Sequence, residues 1–398
     1  MKAVGSGHSF TDIACTEGIL VDMGAFDHLV EIDRRRHRIT VGAGMVLRTL
    51  NHKLAELGMA LPNLGDIDAQ TIAGATATGT HGTGTRYQCI STAIVGARLA
   101  TGDGAMIDVS AEHRPDLLAA TRVGLGALGL LSQVTLQCEP AFNLHAVEST
   151  HDIDDVLDTF DHVAATNDHA EFYWFPHTTT AQLKVNNRTS AEARPRPRLG
   201  AFVRDELLNN VAFEALNRVG RAAPAAIPRL IDTAVGIGDR IEYVSPSHQV
   251  FCSPRRVRFV EMEYAVPREA LLEAFARVRK LIDELGQPIS FPIEVRILGA
   301  DDIPLSTASG RDSGYIAVHV YRGTPHEAYF SAVEDIMCDY GGRPHWGKLH
   351  HQTAETLAPL YPGWDDFQAA LAELDPDGHF SNPYLDRVLR GAGFNPRG

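Results

Sequence analysis

The chain has 398 residues, 44% hydrophobic and 22% charged, an ordinary globular composition long enough for two or three domains. Lys and Arg number 36 against 50 Asp and Glu, a net charge of −14, and the one dense basic run, Arg34-Arg35-Arg36-His37-Arg38, is short enough to be a solvated turn, so no nucleic-acid partner is expected. No apolar run approaches the roughly 18 residues that cross a bilayer, no leader-like stretch follows Met1, and Cys15, Cys89, Cys138, Cys252 and Cys338 form no C-x-x-C pair, which excludes a zinc ribbon or disulfide scaffold and predicts a cytoplasmic chain with reduced thiols.

From residue 1 to about 140, short apolar stretches (Ile19 to Met23, Ile39 to Val41, Val134 to Leu136) alternate with segments dense in Gly, Thr and Ala. That texture reads as short strands with function carried on loops. Val4-Gly5-Ser6-Gly7-His8-Ser9 is a glycine turn off a strand with an imidazole at its centre; a lone His8 is more often structural than catalytic. Between Gly65 and Gly84 lie Gly74, Thr78, Gly79, Thr80, His81 and Gly82, and large side chains are nearly absent. Such a segment cannot build a core, but its backbone N–H groups and hydroxyls can cradle a pyrophosphate or a heteroaromatic ring; the bland alternative is a flexible loop.

Gly124-Leu125-Gly126-Ala127-Leu128-Gly129 satisfies G-x-G-x-x-G, with Glu148 roughly 20 residues on. A dinucleotide fingerprint joins a strand to a following helix. Here a helical stretch over about 111–122 precedes the glycines and strand-like Ser132 to Gln137 follows, so the context contradicts that reading and leaves close backbone approach to a flat or charged ligand.

A domain boundary is expected near residues 140–145, where longer alternating strands and well-marked helices begin. Ala193 to Arg198 is a surface loop by its Pro and Arg content. Pro267 starts a helix whose Leu271, Phe275, Val278, Ile282 and Leu285 recur at 4, 3, 4, 3 before Gly286; a second carries Phe330, Val333, Met337 and Tyr340 before Gly341-Gly342. Strands are expected at Phe259 to Val266, Phe291 to Leu298 and Tyr315 to Tyr321, giving an α+β layer of sheet and covering helices.

Period two puts Glu294 and Arg296 on one strand face and Ile293, Val295 and Ile297 on the other; the alternative is a surface ion pair of little worth. The next strand repeats the asymmetry with Tyr315, His319 and Tyr321. Paired in a suitable register, Glu294, Arg296, His319 and Tyr321 would line one polar pocket floor. Gly341 to His351 mixes Arg343, His345, Trp346, Lys348, His350 and His351 in a turn after a helix, at a spacing that fits no standard zinc pattern, so no metal is expected.

Together and in order, these pieces resemble the aldonolactone oxidoreductases of the vanillyl-alcohol-oxidase type of FAD enzymes. The resemblance rests on Val4 to Asp12, Leu61 to Asp66, Thr78 to Gly84, Leu125 to Gly129, Glu171-Phe172-Tyr173-Trp174-Phe175-Pro176-His177, Glu294-Val295-Arg296 and Gly342 to Lys348, and covers nearly the whole chain. It implies a two-domain α+β fold, with an FAD domain over 1–143 lacking the first β-α-β portion that relatives carry, a substrate domain on a large antiparallel sheet over 144–374, and a C-terminal segment, 375–398, returning to the FAD domain. It implies FAD held by Gly5, Ser6, Gly7, His8, Ser9, Gly74, Thr78, Gly79, Thr80, His81, Gly82, Gly84, Gly124, Gly129 and Lys348, with His8 as a covalent anchor. Oxidation of a sugar 1,4-lactone (L-gulono-1,4-lactone or D-arabinono-1,4-lactone type) follows, at the hydroxyl-bearing carbon next to the carbonyl, with hydride passing to the flavin and ascorbate-type products. Glu294, Arg296, Lys348 and His319 are the implied catalytic residues, and oxygen or an external acceptor takes the electrons. The alternatives are an alditol or polyol oxidase and a flavin-poor, non-catalytic binding protein.

Overall fold

The computed structural model describes residues 1–235 and 240–391. A short parallel pair, β1 (Lys2–Val4) and β2 (Leu20–Asp22), opens the chain. Next comes a five-stranded antiparallel sheet, with β3 (Leu29–Asp33), β4 (Arg38–Gly42), β6 (Ile94–Ala100), β7 (Met106–Ser110) and β8 (Leu130–Gln137) in the order β3-β4-β8-β6-β7. A small pair, β5 (Met59–Ala60) and β9 (Glu139–Pro140), forms a separate two-stranded sheet. The basic run is the hairpin turn between β3 and β4. Ile39 and Val41 are fully buried, and helix Leu47–Glu56 sends Leu47, Leu50 and Leu54 into the same core at helical spacing. The predicted helix over 111–122 starts at Pro115, which locks the first turn and is preceded by Arg114 at φ +57.

The second half is organised by one eight-stranded antiparallel sheet. Its strands are β10 (Asn143–Asp152), β11 (His169–Trp174), β12 (Thr180–Thr189), β13 (Ile241–Pro246), β14 (Phe259–Pro267), β15 (Ile293–Leu298), β16 (Ser313–Tyr321) and β17 (Arg343–Pro344), in the order β13-β10-β12-β11-β15-β16-β14-β17. Strand alternation gives this sheet two unlike faces. One presents Phe172, Met262, Tyr264, Ile293, Val295, Ile297, Ile316 and Val318 to helices Ile153–Thr166, Leu271–Leu285 and Glu327–Asp339. Both helical stripes read from the sequence lie in this layer, and Gly286 at φ +63 ends the first. The 291–298 strand begins two residues later than its apolar run, at Ile293.

The other face is polar and is covered by the glycine-rich segment of the first half. Gly84 N–H donates to Ile297 O at 2.8 Å and the Thr83 hydroxyl to Ala170 O at 2.7 Å, which fixes the 63–87 stretch against β11 and β15. Near the C-terminus, Asn382 Nδ2 donates to the carbonyls of Asp12, Ile13 and Cys15, so this segment ties down the loop after β1. Residues 392–398 of the segment placed at 375–398 lie outside the described residues. Among the described residues, no helix is long and apolar enough to cross a membrane.

Candidate active site

A cavity of about 520 Å³ opens among three backbone stretches: 2–16, 70–78 and 121–131. Gly5, Ser6, Gly7, His8, Ser9, Gly74, Thr78, Gly124 and Gly129 all line it. Its polar lining is made of hydroxyls, glycine backbone, Lys2, His8 and Gln70, and among its lining residues there is no Asp or Glu, a donor set that suits an anionic, phosphate-bearing group. Gly7, at φ +65 with nothing within 4 Å of a built Cβ, leaves the wall beside His8 open and in a conformation only glycine adopts freely. His8 is exposed at the cavity wall, and partial loss of solvent from its ring lowers its imidazole below the usual value. Lys2 Nζ lies in the floor, donating to Gly126 O at 3.0 Å and Phe380 O at 3.2 Å; burial brings its ammonium down to about 8, against the pull of Asp375. These residues fit FAD.

Gly79, Thr80, His81, Gly82 and Gly84 do not line this cavity. The physical reason is packing. A Cβ on Gly82 would stand 2.3 Å from Leu64 O, and one on Gly84 2.4 Å from Asp168 O, so these glycines let the segment lie flat on the sheet. His81 instead faces that sheet, its ring 3.9 Å from Tyr315.

On the polar face, Arg296 is buried among three carboxylates. It pairs with Glu294 Oε1, with Asp66 Oδ1 at 2.5 Å, and through Nε with Glu171 Oε2 at 2.8 Å. Lys184 Nζ is 3.0 Å from Glu171 and Arg255 is 2.7 Å from Asp66, so three cations match three carboxylates. The Tyr173 hydroxyl donates to Asp66 at 3.1 Å and reaches Glu294 at 3.3 Å. Burial opposes ionisation of Asp66, yet Arg296, Arg255 and Lys184 outweigh it and hold the carboxyl well below its usual range. Glu294 shifts the other way: burial pushes it up, and Asp66 and Glu171 add to this against Arg296. The surface ion-pair alternative is thereby overturned; this pair is interior.

Two strands across the sheet, on β14, is a second charged group. Lys348 Nζ bonds Glu261 Oε1 and stands 2.9 Å from Glu263 Oε2, both on β14. Burial would lower the ammonium, but the two carboxylates overcome it and hold it above the ordinary lysine value. The Gly-Arg-Pro-His-Trp-Gly-Lys stretch explains how Lys348 arrives there. Arg343 donates to Leu360 O, Thr307 O and Ser309 O, Trp346 Nε1 donates to Leu305 O at 2.7 Å, and the backbone of His345 and Leu349 bonds Glu263 O and Glu261 O. Burial takes His345 down to about 3, with Lys348 adding to the effect, so it is neutral. The loop bearing His8 is bonded to the same stretch, Phe10 N–H donating to Gly347 O at 2.8 Å.

The pairing register decides what becomes of the expected pocket floor. Glu294 and Glu263 both lie opposite Ala317, Arg296 lies opposite Tyr315, and Glu261 opposite His319. His319 therefore joins the Lys348 group, its Nε2 3.2 Å from Glu261 Oε1, whereas Tyr321 lies one row further on and donates to Glu214 at 2.8 Å. Tyr321 is not part of the floor. Two clusters, His81-Glu263-His345 and Asp66-Glu171-Glu294, bring metal-ligating atoms within 4.8 Å of one another, but Lys348 and Arg296 already supply the positive charge there. Asp66, Glu171, Lys184, Arg255, Glu261 and Glu263 were not singled out from the sequence as site residues.

The sequence profile of the D-arabinono-1,4-lactone oxidase family matches residues 134–388, and that of an FAD binding domain matches residues 1–110. The chain is 46% identical over 389 residues to the L-gulono-1,4-lactone dehydrogenase of Mycobacterium tuberculosis, covering 98% of this chain and 90% of that protein. The chain belongs to the D-arabinono-1,4-lactone oxidase family. It is an FAD-linked oxidoreductase acting on CH–OH groups. L-gulonolactone oxidase of Mus musculus is 31% identical, with 98% of this chain and 89% of that protein covered. At the level of fold, cholesterol oxidase of Brevibacterium sterolicum superposes with a TM-score of 0.83 at 17% identity, over 98% of this chain and 89% of that one. The vanillyl-alcohol-oxidase type fold expected from the sequence is the fold observed.

Proposed function

We propose that this protein oxidises a sugar 1,4-lactone, of the L-gulono-1,4-lactone or D-arabinono-1,4-lactone type, at the hydroxyl-bearing carbon beside the carbonyl. The observation that carries this reading is the joining of two unlike surfaces. A carboxylate-free cavity fit for FAD is hydrogen-bonded, through Phe10 and Gly347, to a sheet face holding a buried cation, Arg296, and a half-buried one, Lys348. FAD, when bound, supplies the hydride acceptor. The work of the chain is charge and position. Arg296 and Lys348 meet the negative charge that develops on the substrate oxygen, the contribution that usually dominates such catalysis. Glu294 orients Arg296 and accepts hydroxyl hydrogen bonds; burial, with Asp66 and Glu171, raises its carboxyl above the usual value. His319 acts on the Lys348 side through Glu261, with its Nε2 3.2 Å from Glu261 Oε1. His8, on the cavity wall, is the attachment point for FAD, and oxygen or an external acceptor reoxidises the enzyme.

The test is an absorbance spectrum of the purified protein before and after acid precipitation, followed by anaerobic addition of L-gulono-1,4-lactone. Yellow colour in the pellet supports the anchor at His8, and bleaching by the lactone supports the reaction. Reoxidation on admitting air separates oxidase from dehydrogenase. Bleaching by a sugar alcohol and not by lactones moves the reading to polyol oxidation, and a colourless protein that cannot be loaded with FAD overturns it.

A further inference from the structure

Lys348 is the centre of a chain of five charged or chargeable groups, of which the proposed reaction uses only two. Glu261 and Glu263 occupy alternate positions on β14, so period two puts both carboxylates on the polar face, one on either side of the ammonium. Each carboxylate has an imidazole beyond it. His319 Nε2 is 3.2 Å from Glu261 Oε1 and its Nδ1 is 3.2 Å from Pro292 O; His81 Nε2 is 3.5 Å from Glu263 Oε1 and its Nδ1 is 2.9 Å from Gly82 O. In both rings, each nitrogen faces an oxygen that can only accept. Each ring therefore ties a carboxylate of β14 to a backbone carbonyl.

We propose that Glu261 and Glu263 are positioning residues: they hold the Lys348 ammonium charged and aimed at the substrate oxygen, and His319 and His81 fix the two carboxylates from their far ends. The inference rests on the lactone-oxidation reading above. The backbone supports the same geometry, because Leu349 N–H donates to Glu261 O and His345 N–H to Glu263 O, both at 2.9 Å, so the loop carrying Lys348 is registered against the strand carrying its partners. The ammonium held between them carries the sign needed to receive an oxygen becoming anionic. With a free lysine side chain, that charge would sample many rotamers; clamped from two sides, it is preorganised. The groups facing Lys348 are Glu261 and Glu263 from β14 and His345 from its own loop, with His319 from β16 and His81 from the glycine-rich segment behind the carboxylates.

The experiment is a double-mutant cycle on FAD-loaded protein: Glu263→Gln, Glu261→Gln and Lys348→Met, singly and combined, with anaerobic lactone-driven reduction followed across pH and thermal unfolding measured in parallel. Either Gln variant is expected to slow reduction by roughly tenfold to a hundredfold, less than loss of the cation itself, with KM little changed. The alkaline limb of its pH profile is expected to move to lower pH, because a lysine with one carboxylate deprotonates sooner. Glu263→Asp should restore part of the rate. In the Lys348→Met background, the Gln changes should slow the reaction no further, and their cost in Tm should shrink, since the ion they hold is gone. Equal factors in both backgrounds, or a pH limb that does not move, overturn the inference; the Glu261 arm decides it if Glu263→Gln fails to fold. A wild-type enzyme that no lactone reduces overturns the reading of the reaction and the aiming role with it, while the cycle in Tm still decides whether the carboxylates hold Lys348.

Discussion

The two faces of the eight-stranded sheet are made from the same strands and obey opposite rules. On the helix-covered face, Phe172, Val295, Ile316 and Phe275 are fully or almost fully buried and need only size and shape. On the other, Glu171, Arg296, Glu261 and Glu263 are buried to nearly the same degree and survive only because each has a charged partner at hydrogen-bond distance. An apolar face tolerates a missing atom by leaving a cavity. A polar face does not, because removing one charge leaves its partners buried and uncompensated. On the proposed reading, a substrate oxygen that turns anionic finds fixed counter-charges on the second face and none on the first.

The largest test of this contrast is Arg296→Met. It removes the cation shared by Asp66, Glu171 and Glu294, so lactone-driven reduction should fall by about a thousandfold or more, with a stability loss of about 3–5 kcal/mol. Stopped-flow flavin bleaching and thermal unfolding on the same preparation check both. The burial means that a simple loss of turnover with unchanged stability would argue that the three carboxylates do not depend on this guanidinium. The matching change on the apolar face is Phe275→Ala, which removes a ring packed edge-on against Phe172 at 5.3 Å and Trp174 at 5.9 Å. It should cost about 3–5 kcal/mol in denaturant unfolding while leaving the rate per folded molecule within about twofold of wild type. If Phe275→Ala slows the chemistry as Arg296→Met does, the two faces are not separable.

The apolar face was legible in the sequence because its information is local. The 4, 3, 4, 3 stripe from Leu271 to Leu285 and the alternation of Ile293, Val295 and Ile297 state a helix face and a strand face within a dozen residues. The polar face was legible only where the same local signal carried charges, as in Glu294 and Arg296. That signal was also present in Phe259-Val260-Glu261-Met262-Glu263, whose two carboxylates alternate in the same way, but a pattern cannot say that Lys348 returns 85 residues after Glu263 to sit between them. Asp66, Lys184 and Arg255 come from a loop, another strand and another loop, and only tertiary pairing brings them to Arg296 and Glu171. Glycine content was ambiguous in a different way: it marked Gly5, Gly7, Gly74, Gly124 and Gly129 on the cavity wall, and equally Gly82 and Gly84, which are glycines because a carbonyl oxygen occupies the space of their Cβ. Tyr321 was misplaced because strand pairing, not alternation, decides which row a side chain joins.

The finest test divides the polar face itself, since two carboxylates on one guanidinium shift in opposite directions. Asp66 is depressed, so its contribution to stability is present above the unfolded-state value near 4 and is lost as pH falls through the lower folded value. Glu294 is raised, so its contribution is present below the unfolded-state value and is lost as pH rises through the folded one. Asp66→Asn should therefore be less stable than wild type at neutral pH, by about 1–3 kcal/mol, with the gap closing as the solution is acidified below about pH 4. Glu294→Gln should match or exceed wild-type stability at neutral pH and fall behind it only on the acid side, while losing most of its rate with lactone. That outcome would mark Glu294 as a carboxyl that costs the folded state stability at neutral pH and is kept for its chemistry. Equal pH dependence in the two variants would mean that Asp66 and Glu294 share one role around Arg296 rather than dividing it.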